Sequence, residues 1–408
     1  NIHLGFAAQI KALWAEWSLR PETSGELTRA QMERLVCRTW LRDGEMLAQQ
    51  LLGKVPNFKH LHKVPFSLEL LEPDYLPWNY NDEAKGICQG ITRDAWRRVL
   101  GYNLLKRHPG NALGFSLSAD TKFVPAERML HIAYRKRIGQ NRGQPLLHAV
   151  LTRLADIKDY EESERVAARI SAALAMFIKK GSTDDYVIAP TTAGKDGQAT
   201  GARSIPIAPG MVFDGLLPGE DVGMIESNRP SQFVESFRNG QLRAVAAGTR
   251  IGYSTATRSY TGTYSAQRQE LVESQLGYDL LQHEFIDYWA RKVYRGFVEM
   301  ALVSGVLVPP GDVNMDSVYS AVYQGPVMPW INPVHEATAW DSLVQSGFAD
   351  EAEVARARGR NPQELKRSRQ AEVESNRAKG LVFSSDAYHK FYGKVTVNAD
   401  LSSEKEKA

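Results

Sequence analysis

The sequence predicts an α+β protein. Two apolar periodicities of three and four residues run far beyond an ordinary helix, one over 145–180 and one from about residue 264 to 303. Between the N-terminus and the first of them, residues 60–135 switch to a period of two, the signature of half-buried strands. A Gly- and Pro-punctuated stretch, 182–230, separates the first long helix from a shorter one near residue 240.

The chain opens with a helix over 5–18, its apolar positions at Phe6, Ile10, Leu13, Trp14 and Trp17. Thr28-x-x-Gln31 has the form of a capping box, each side chain meeting a free N–H of the other. The helix it opens is expected to run to about Leu52, with Gly44 as an interruption. From Val64, Phe66, Leu68 and Leu70 alternate with Ser67 and Glu69, which suits a strand. Gly86–Ile91 and Trp96–Leu104 are expected as further strands, and Phe123–Tyr134 as another pair.

Pro145 is expected to open the first long helix, since its missing N–H would have no partner in a first turn. The pattern continues to Lys180, with Asp156, Asp159, Glu161, Glu162 and Glu164 midway. Lys179 and Lys180 then complement the helix dipole before Gly181. Residues 182–230 are expected to form a small β insertion. Ser204–Ile207 and Met211–Phe213 read as strands in it, and Leu217-Pro-Gly-Glu220 as a turn.

A shorter helix comes next, marked by Phe233, Phe237, Leu242 and Val245, and is expected to stop at Gly248. Gly252 to Tyr264 has no apolar period and is rich in Thr, Ser, Tyr and Gly. Thr263 or Ser265 is placed to cap the second long helix. Its stripe runs Tyr278, Leu281, Phe285, Trp289, Val293, Phe297, Met300, with Gly277 and Gly296 as possible kinks. Some 38 residues at 1.5 Å each span roughly 57 Å. Val318–Tyr323 reads as a strand, 333–347 as a helix, and 349–379 as charged helix ending at Gly380. The tail 381–408 is polar and expected to fray.

Composition excludes some classes. The 408 residues suffice for two or three domains. A net charge of +3 announces no polyanion partner but leaves room for a local basic strip. Cys37 and Cys88 make no disulfide framework. No run is long and apolar enough for a membrane span. The chain begins at Asn1 without Met or a signal-peptide pattern, and further residues are expected to precede it.

Catalytic and cofactor motifs are sparse. There is no phosphate loop. His283-Glu284 and His335-Glu336 lack the second His that a zinc protease places four residues on. His60-x-His62 sets two imidazoles on one strand face without a third ligand. Asp74 with Glu83-Ala84-Lys85 resembles the Asp…E-x-K set of restriction-type nucleases. There two carboxylates hold a divalent metal and the lysine orients water; an ordinary charged hairpin accounts for it as well. Tyr134-Arg-Lys-Arg137 to Arg142 is a basic run suited to phosphate or to a solvated turn. In the 252–264 loop, Arg258 stands with Tyr253, Tyr260 and Tyr264.

Several stretches together resemble the portal proteins of lambda-type tailed bacteriophages. They are Arg137-x-Gly139-Gln-x-Arg142-Gly-x-Pro145 leading into a long helix with Asp159-Tyr160, and Leu217-Pro-Gly-Glu220. To these add Gln241-Leu-Arg-Ala-Val-Ala-Ala-Gly248 with Tyr260-x-Gly262-x-Tyr264-Ser-x-x-Arg268. A later Trp330…Glu336…Gly347…Arg360…Pro362…Glu364 series also matches. The resemblance covers about 60–380 and implies a portal-type fold. Its parts would be a wing (1–144 and 264–335), stem helices (145–181 and 231–251), a β-containing clip (182–230), a tunnel loop (252–263) and a crown (336–380). It implies a non-enzymatic ring, usually a dodecamer, at one capsid vertex. That ring passes double-stranded DNA without sequence specificity. It also contacts the terminase large subunit, the head–tail connector and the major capsid protein. No cofactor, metal or membrane is implied. The DNA-facing residues would be Tyr253, Thr255, Thr257, Arg258 and Tyr260. Three departures stand out: Thr263 where the family has Asn, the family's N-terminal segment not found in this sequence, and a tail, 381–408, that matches nothing.

Overall fold

The structure is a computed structural model that describes residues 3–111, 120–173, 177–180, 220–223, 233–328, 332–381, 383 and 386. Along the chain run α1 (Leu4–Trp17), α2 (Arg29–Asp43), β1 (Glu45–Leu52), β2 (Phe66–Leu71), β3 (Ile87–Cys88), β4 (Ile91–Arg93), β5 (Val99–Leu105), β6 (Thr121–Pro125) and β7 (Met129–Ala133). Then come α3 (Leu151–Ala173), β8 (Phe177–Lys180), β9 (Glu220–Gly223), α4 (Val234–Thr249) and α5 (Tyr253–Thr257). Among the described residues the remaining elements are helices: α6 (Tyr264–Phe285), a π segment (Ile286–Ala290), α7 (Arg291–Val303), α8 (Met315–Val318), α9 (Pro333–Gln345), α10 (Glu351–Ala357) and α11 (Pro362–Ala378). The α+β class is as expected.

The chain divides into two compact units. The first holds 1–40, 45–143 and 263–408; the second holds 41–44 and 144–262. In the first, β2-β1-β7 make one antiparallel sheet and β3-β4-β5-β6 another. Leu47, Leu71, Leu76, Ile91, Tyr102, Leu104, Val124 and Met129 form one buried cluster. A second, aromatic core brings Trp14 and Trp17 of α1 against Phe297 of α7, at ring distances of 5.0 and 5.5 Å. Trp17 Nε1 donates to the Phe66 carbonyl at 2.8 Å, so the indole is buried without an orphaned N–H.

The capping box forms as read: Thr28 N donates to Gln31 Oε1 at 2.9 Å and Gln31 N to Thr28 Oγ1 at 3.4 Å. The helix it opens stops at Asp43 rather than Leu52, and 45–52 is the central strand of its sheet. Gly44 makes the break. Its φ is +87°, and a Cβ there would lie 2.3 Å from the Gln144 carbonyl carbon, so no other residue fits.

The strand expected from Trp96 begins only at Val99, because Asp94 closes a tight turn. Asp94 Oδ1 accepts from Trp96 N at 2.9 Å and Arg98 N at 2.8 Å. Val318–Tyr323 is not a strand: Val318 ends a short helix capped by Asn314. The long rod from Thr263 is present. Thr263 Oγ1 caps it by accepting from Ala266 N at 3.4 Å. Its irregularity is the π segment, not a glycine kink. Gly296 instead permits close packing, since a Cβ would stand 2.8 Å from Gln50 Oε1 and 3.0 Å from the Phe66 ring.

In the second unit, Pro145 precedes a short 3-10 turn (Leu146–Ala149), and α3 begins only at Leu151. The helix ends by Ala173, not Lys180. Phe177–Lys180 is a strand, paired antiparallel with Glu220–Gly223. α3 and α4 pack together: Tyr160 meets Phe237 at 4.8 Å, Arg238 pairs with Glu161 at 2.7 Å, and Arg153 donates to Gln241 at 2.9 Å. The expected strands Ser204–Ile207 and Met211–Phe213 lie outside the described residues, as does most of the tail. No helix among the described residues is long and apolar enough to cross a membrane.

Candidate nucleic-acid interface

Between Glu235 and Glu270 the chain carries no acid and no lysine, only five arginines: Arg238, Arg243, Arg250, Arg258 and Arg268. Three of these cations are engaged. Arg238 holds Glu161, Arg243 lies over the Tyr253 ring at 5.4 Å, and Arg268 reaches Glu336 at 3.9 Å. Arg250 and Arg258 are exposed and make no ion pair among the described residues.

Both of these arginines sit at helix ends in the left-handed region. Arg250 caps α4 with φ +59°, its N–H reaching the Ala246 and Ala247 carbonyls. Arg258 caps α5 with φ +58°. Each such residue costs roughly 1–2 kcal/mol where glycine would cost little. The sequence pattern ends the helix at Gly248. The structure moves the end on to Arg250, and Gly248 serves a contact instead: a Cβ there would lie 2.5 Å from Val150 Cγ1.

The stretch expected to be irregular contains α5. Ala256 N donates to the Gly252 carbonyl at 2.9 Å. Thr257 Oγ1 donates to the Tyr253 carbonyl at 2.8 Å, so that hydroxyl is engaged within the turn. Thr255 and Arg258 are exposed, Tyr253 is half-buried, and Tyr260 is 57% exposed. The segment therefore presents two cations, one phenol and one hydroxyl to solvent, with no carboxylate among them. That combination suits a polyanion contacted through phosphate. Sequence reading singled out Arg258 but not Arg250, which shares its exposure and the long interval without an acid.

The other candidate residues resolve differently. Asp74 lies in one 3-10 turn (Pro73–Tyr75), and Glu83 and Lys85 in another (Glu83–Lys85). The strand that would put Glu83 and Lys85 on one face is not formed, and Lys85 pairs with Asp82 at 3.1 Å. The nuclease arrangement is thus absent. Asp74 instead joins Glu72 around His108, whose Nε2 is 3.8 and 3.1 Å from the two carboxylates. Gly110 N donates to His108 Nδ1 at 3.0 Å, which keeps the ring proton on Nε2. The ring offers the carboxylates an N–H rather than a lone pair for a metal. His60 and His62 also have internal partners: His60 meets Ser67 Oγ and the Gly53 carbonyl at 2.9 and 2.7 Å, and His62 meets the Val64 carbonyl at 2.6 Å.

Arg142 ends the basic run but does not face solvent. It is buried, with Nε 2.5 Å from Glu45 Oε1 and Nη1 2.9 Å from the Leu76 carbonyl. Glu45 also accepts from Gly143 N at 2.8 Å and from His131 Nε2 at 3.0 Å. Arg142 is therefore a structural cation that ties loop 73–78 and β1 together.

A sequence profile of the family described as "Phage portal protein, lambda family" matches residues 3–282. The chain belongs to that family. It is 22% identical over 364 residues to the probable portal protein of Halomonas phage phiHAP-1, covering 87% of this chain and 68% of that protein. It is 22% identical over 308 residues to the portal protein of Escherichia phage N15, covering 67% of this chain and 58% of that protein. Among solved structures it is similar to a chain in the neck of a native gene transfer agent particle computed with C12 symmetry. That match has 16% identity and a TM-score of 0.42, over 88% of this chain and 92% of the other. In this portal protein the motif Arg137 to Pro145 thus supplies a buried cation, and the motif Gln241 to Gly248 supplies a helix-packing glycine.

Proposed function

We propose that this portal protein assembles as a ring, a dodecamer as the resemblance implies, at one capsid vertex and forms the channel for double-stranded DNA. In this reading the 250–260 segment faces the bore. Arg250 and Arg258 make weak, sequence-blind contacts to phosphate, and Thr255 and Tyr260 stand beside them. The observation that carries the reading is the pair of exposed, uncompensated arginines, each held at positive φ, in an acid-free interval of a portal-family chain. A pair of charges per subunit, screened by salt, lets DNA slide, where a dense basic patch would grip it.

Ring formation draws support from apolar surface that one subunit leaves open. On α6, Val272, Leu276 and Leu280 are 41, 66 and 59% exposed at steps of four. On the second unit Phe233 and Phe237 are 66 and 43% exposed. Burying such area gains about 25 cal/mol per Å². The remaining assignments rest on the resemblance. Residues 1–144 and 264–335 form the wing, 145–181 and 231–251 the stem, and 336–380 the crown. Residues 182–230 are the clip, docking the terminase large subunit and the head–tail connector, and the major capsid protein surrounds the ring.

The test is DNA packaging and retention with charge variants. Arg258→Ala and Arg250→Ala should leave assembly intact and alter packaged length or leakage. Arg250→Glu/Arg258→Glu should be worse, since each subunit then turns two carboxylates toward phosphate. Packaging and retention equal to wild type in the double Glu variant would remove this segment from the bore.

A further inference from the structure

Two loops of the first unit meet in a strongly positive patch. The β4–β5 turn carries Arg93, Trp96, Arg97 and Arg98, and the loop after β7 carries Arg135, Lys136, Arg137 and Ile138. They are adjacent: a Cβ on Gly139 would stand 3.4 Å from Arg97 Nη1. The one acid in these two loops is Asp94, and its carboxylate is engaged in closing the turn. Arg93 Nη1 donates to the Arg97 carbonyl at 2.6 Å, while Arg93 Nε is buried without a partner. Burial first, and the Arg135 charge second, hold both Arg93 and Lys292 below their ordinary values. The cations therefore crowd one another, which favours the approach of an anionic surface.

The same patch carries the two most exposed large apolar side chains among the described residues, Ile138 at 102% and Trp96 at 84%. Arg97 takes φ +64° in presenting this turn. Phosphate alone would neutralise the cations but would not dry the indole and the isoleucine. Exposed Trp beside Arg is the composition of a protein–protein hot spot. The complementary chemistry is on this chain. On α3, Asp156, Asp159 and Glu162 are exposed, flanked by Leu151 and Val166 at 52 and 42% exposed. A ring contact is heterologous, joining two different surfaces of one chain.

We propose that the Trp96–Ile138 patch docks on the acidic side of α3 of a neighbouring copy of this chain. The inference rests on the ring reading. Its test uses the full chain, with ring mass followed by light scattering and mass photometry over a concentration and salt series. Trp96→Ala and Arg98→Glu/Arg137→Glu should each raise the concentration for half-assembly by about tenfold or more, with far-UV dichroism unchanged. Asp156→Arg/Asp159→Arg should do the same. Combined with Arg98→Glu/Arg137→Glu, it should restore assembly, because both charges are then reversed. Wild type that never forms rings removes the ring reading and this inference with it. Rings in wild type that persist unaltered in the Trp96 and arginine variants overturn this inference alone. So does a combined variant worse than either parent. So does a loss of binding to a 30-base-pair duplex without change in assembly, which would make the patch a nucleic-acid surface.

Discussion

Glu45 is a buried carboxylate that stays charged because three donors converge on it. Burial pushes its pKa up, but His131, Arg142 and the Gly143 N–H together hold it below the ordinary carboxylate range. His131 goes the other way: burial drives its pKa below the usual value against the pull of Glu45. The positive charge opposite Glu45 at neutral pH is therefore that of Arg142. His131 is neutral, with Nε2–H donated to Glu45 and Nδ1 3.4 Å from the Tyr102 hydroxyl. Both shifts act with the same sign. The unfolded imidazole takes up a proton near its ordinary value of about 6.5 while the folded one resists, so stability falls as pH drops below that. The Glu45 contribution, present above the ordinary carboxylate pKa, is lost as pH falls through its depressed folded value. Urea midpoints should therefore decline steadily from pH 7 to pH 4. Arg142→Ala, which strands a buried charge, should cost about 3–5 kcal/mol. Arg142→Ala with Glu45→Gln should cost less than Arg142→Ala alone. A midpoint independent of pH, or a double variant as damaged as the sum of its parts, would contradict this account.

At the scale of elements, 45–52 is the instructive case. Glu45-Met-Leu-Ala-Gln-Gln-Leu-Leu52 contains strong helix formers and no β-branched residue, so local propensity favours continuing α2. Tertiary pairing wins: β1 is flanked on both sides by β2 and β7. The deciding residue is Gly44, and its effect depends on Gln144, a hundred residues away in sequence, which no local pattern reveals. Gly44→Ala should cost at least ~2 kcal/mol, from a strained φ and a clash with backbone that has nowhere to move. A thermal midpoint equal to wild type would show that the break has another cause. Conversely, the capping box, the Thr263 cap and the buried stripe Trp289, Val293, Phe297 were legible, because each depends on residues three or four apart. The candidate interface was legible in part. Arg258 stood out in a polar interval, but Arg250 falls between the expected helix end at Gly248 and the start of that interval at Gly252, where neither pattern singles it out. Phe177-Ile178 likewise read as helix, because its strand partner, Glu220–Gly223, is remote in sequence.

At the scale of the whole molecule, we propose that many copies close into a channel. The open apolar stripe of α6, Val272, Leu276 and Leu280, calls for a partner beyond one chain. The clip reading adds a separable expectation. Deleting Pro190–Ile205 should leave ring mass by light scattering unchanged while abolishing DNA packaging. A deletion that packages normally would release that segment from the docking role. The most direct measurement is a cryo-electron microscopy map of the assembled full chain. The expected map is a closed ring whose narrowest point is formed by residues 250–260, with Arg250 and Arg258 turned toward the axis. A ring with these arginines on its outer surface, or a chain that remains monomeric at micromolar concentration, would contradict it.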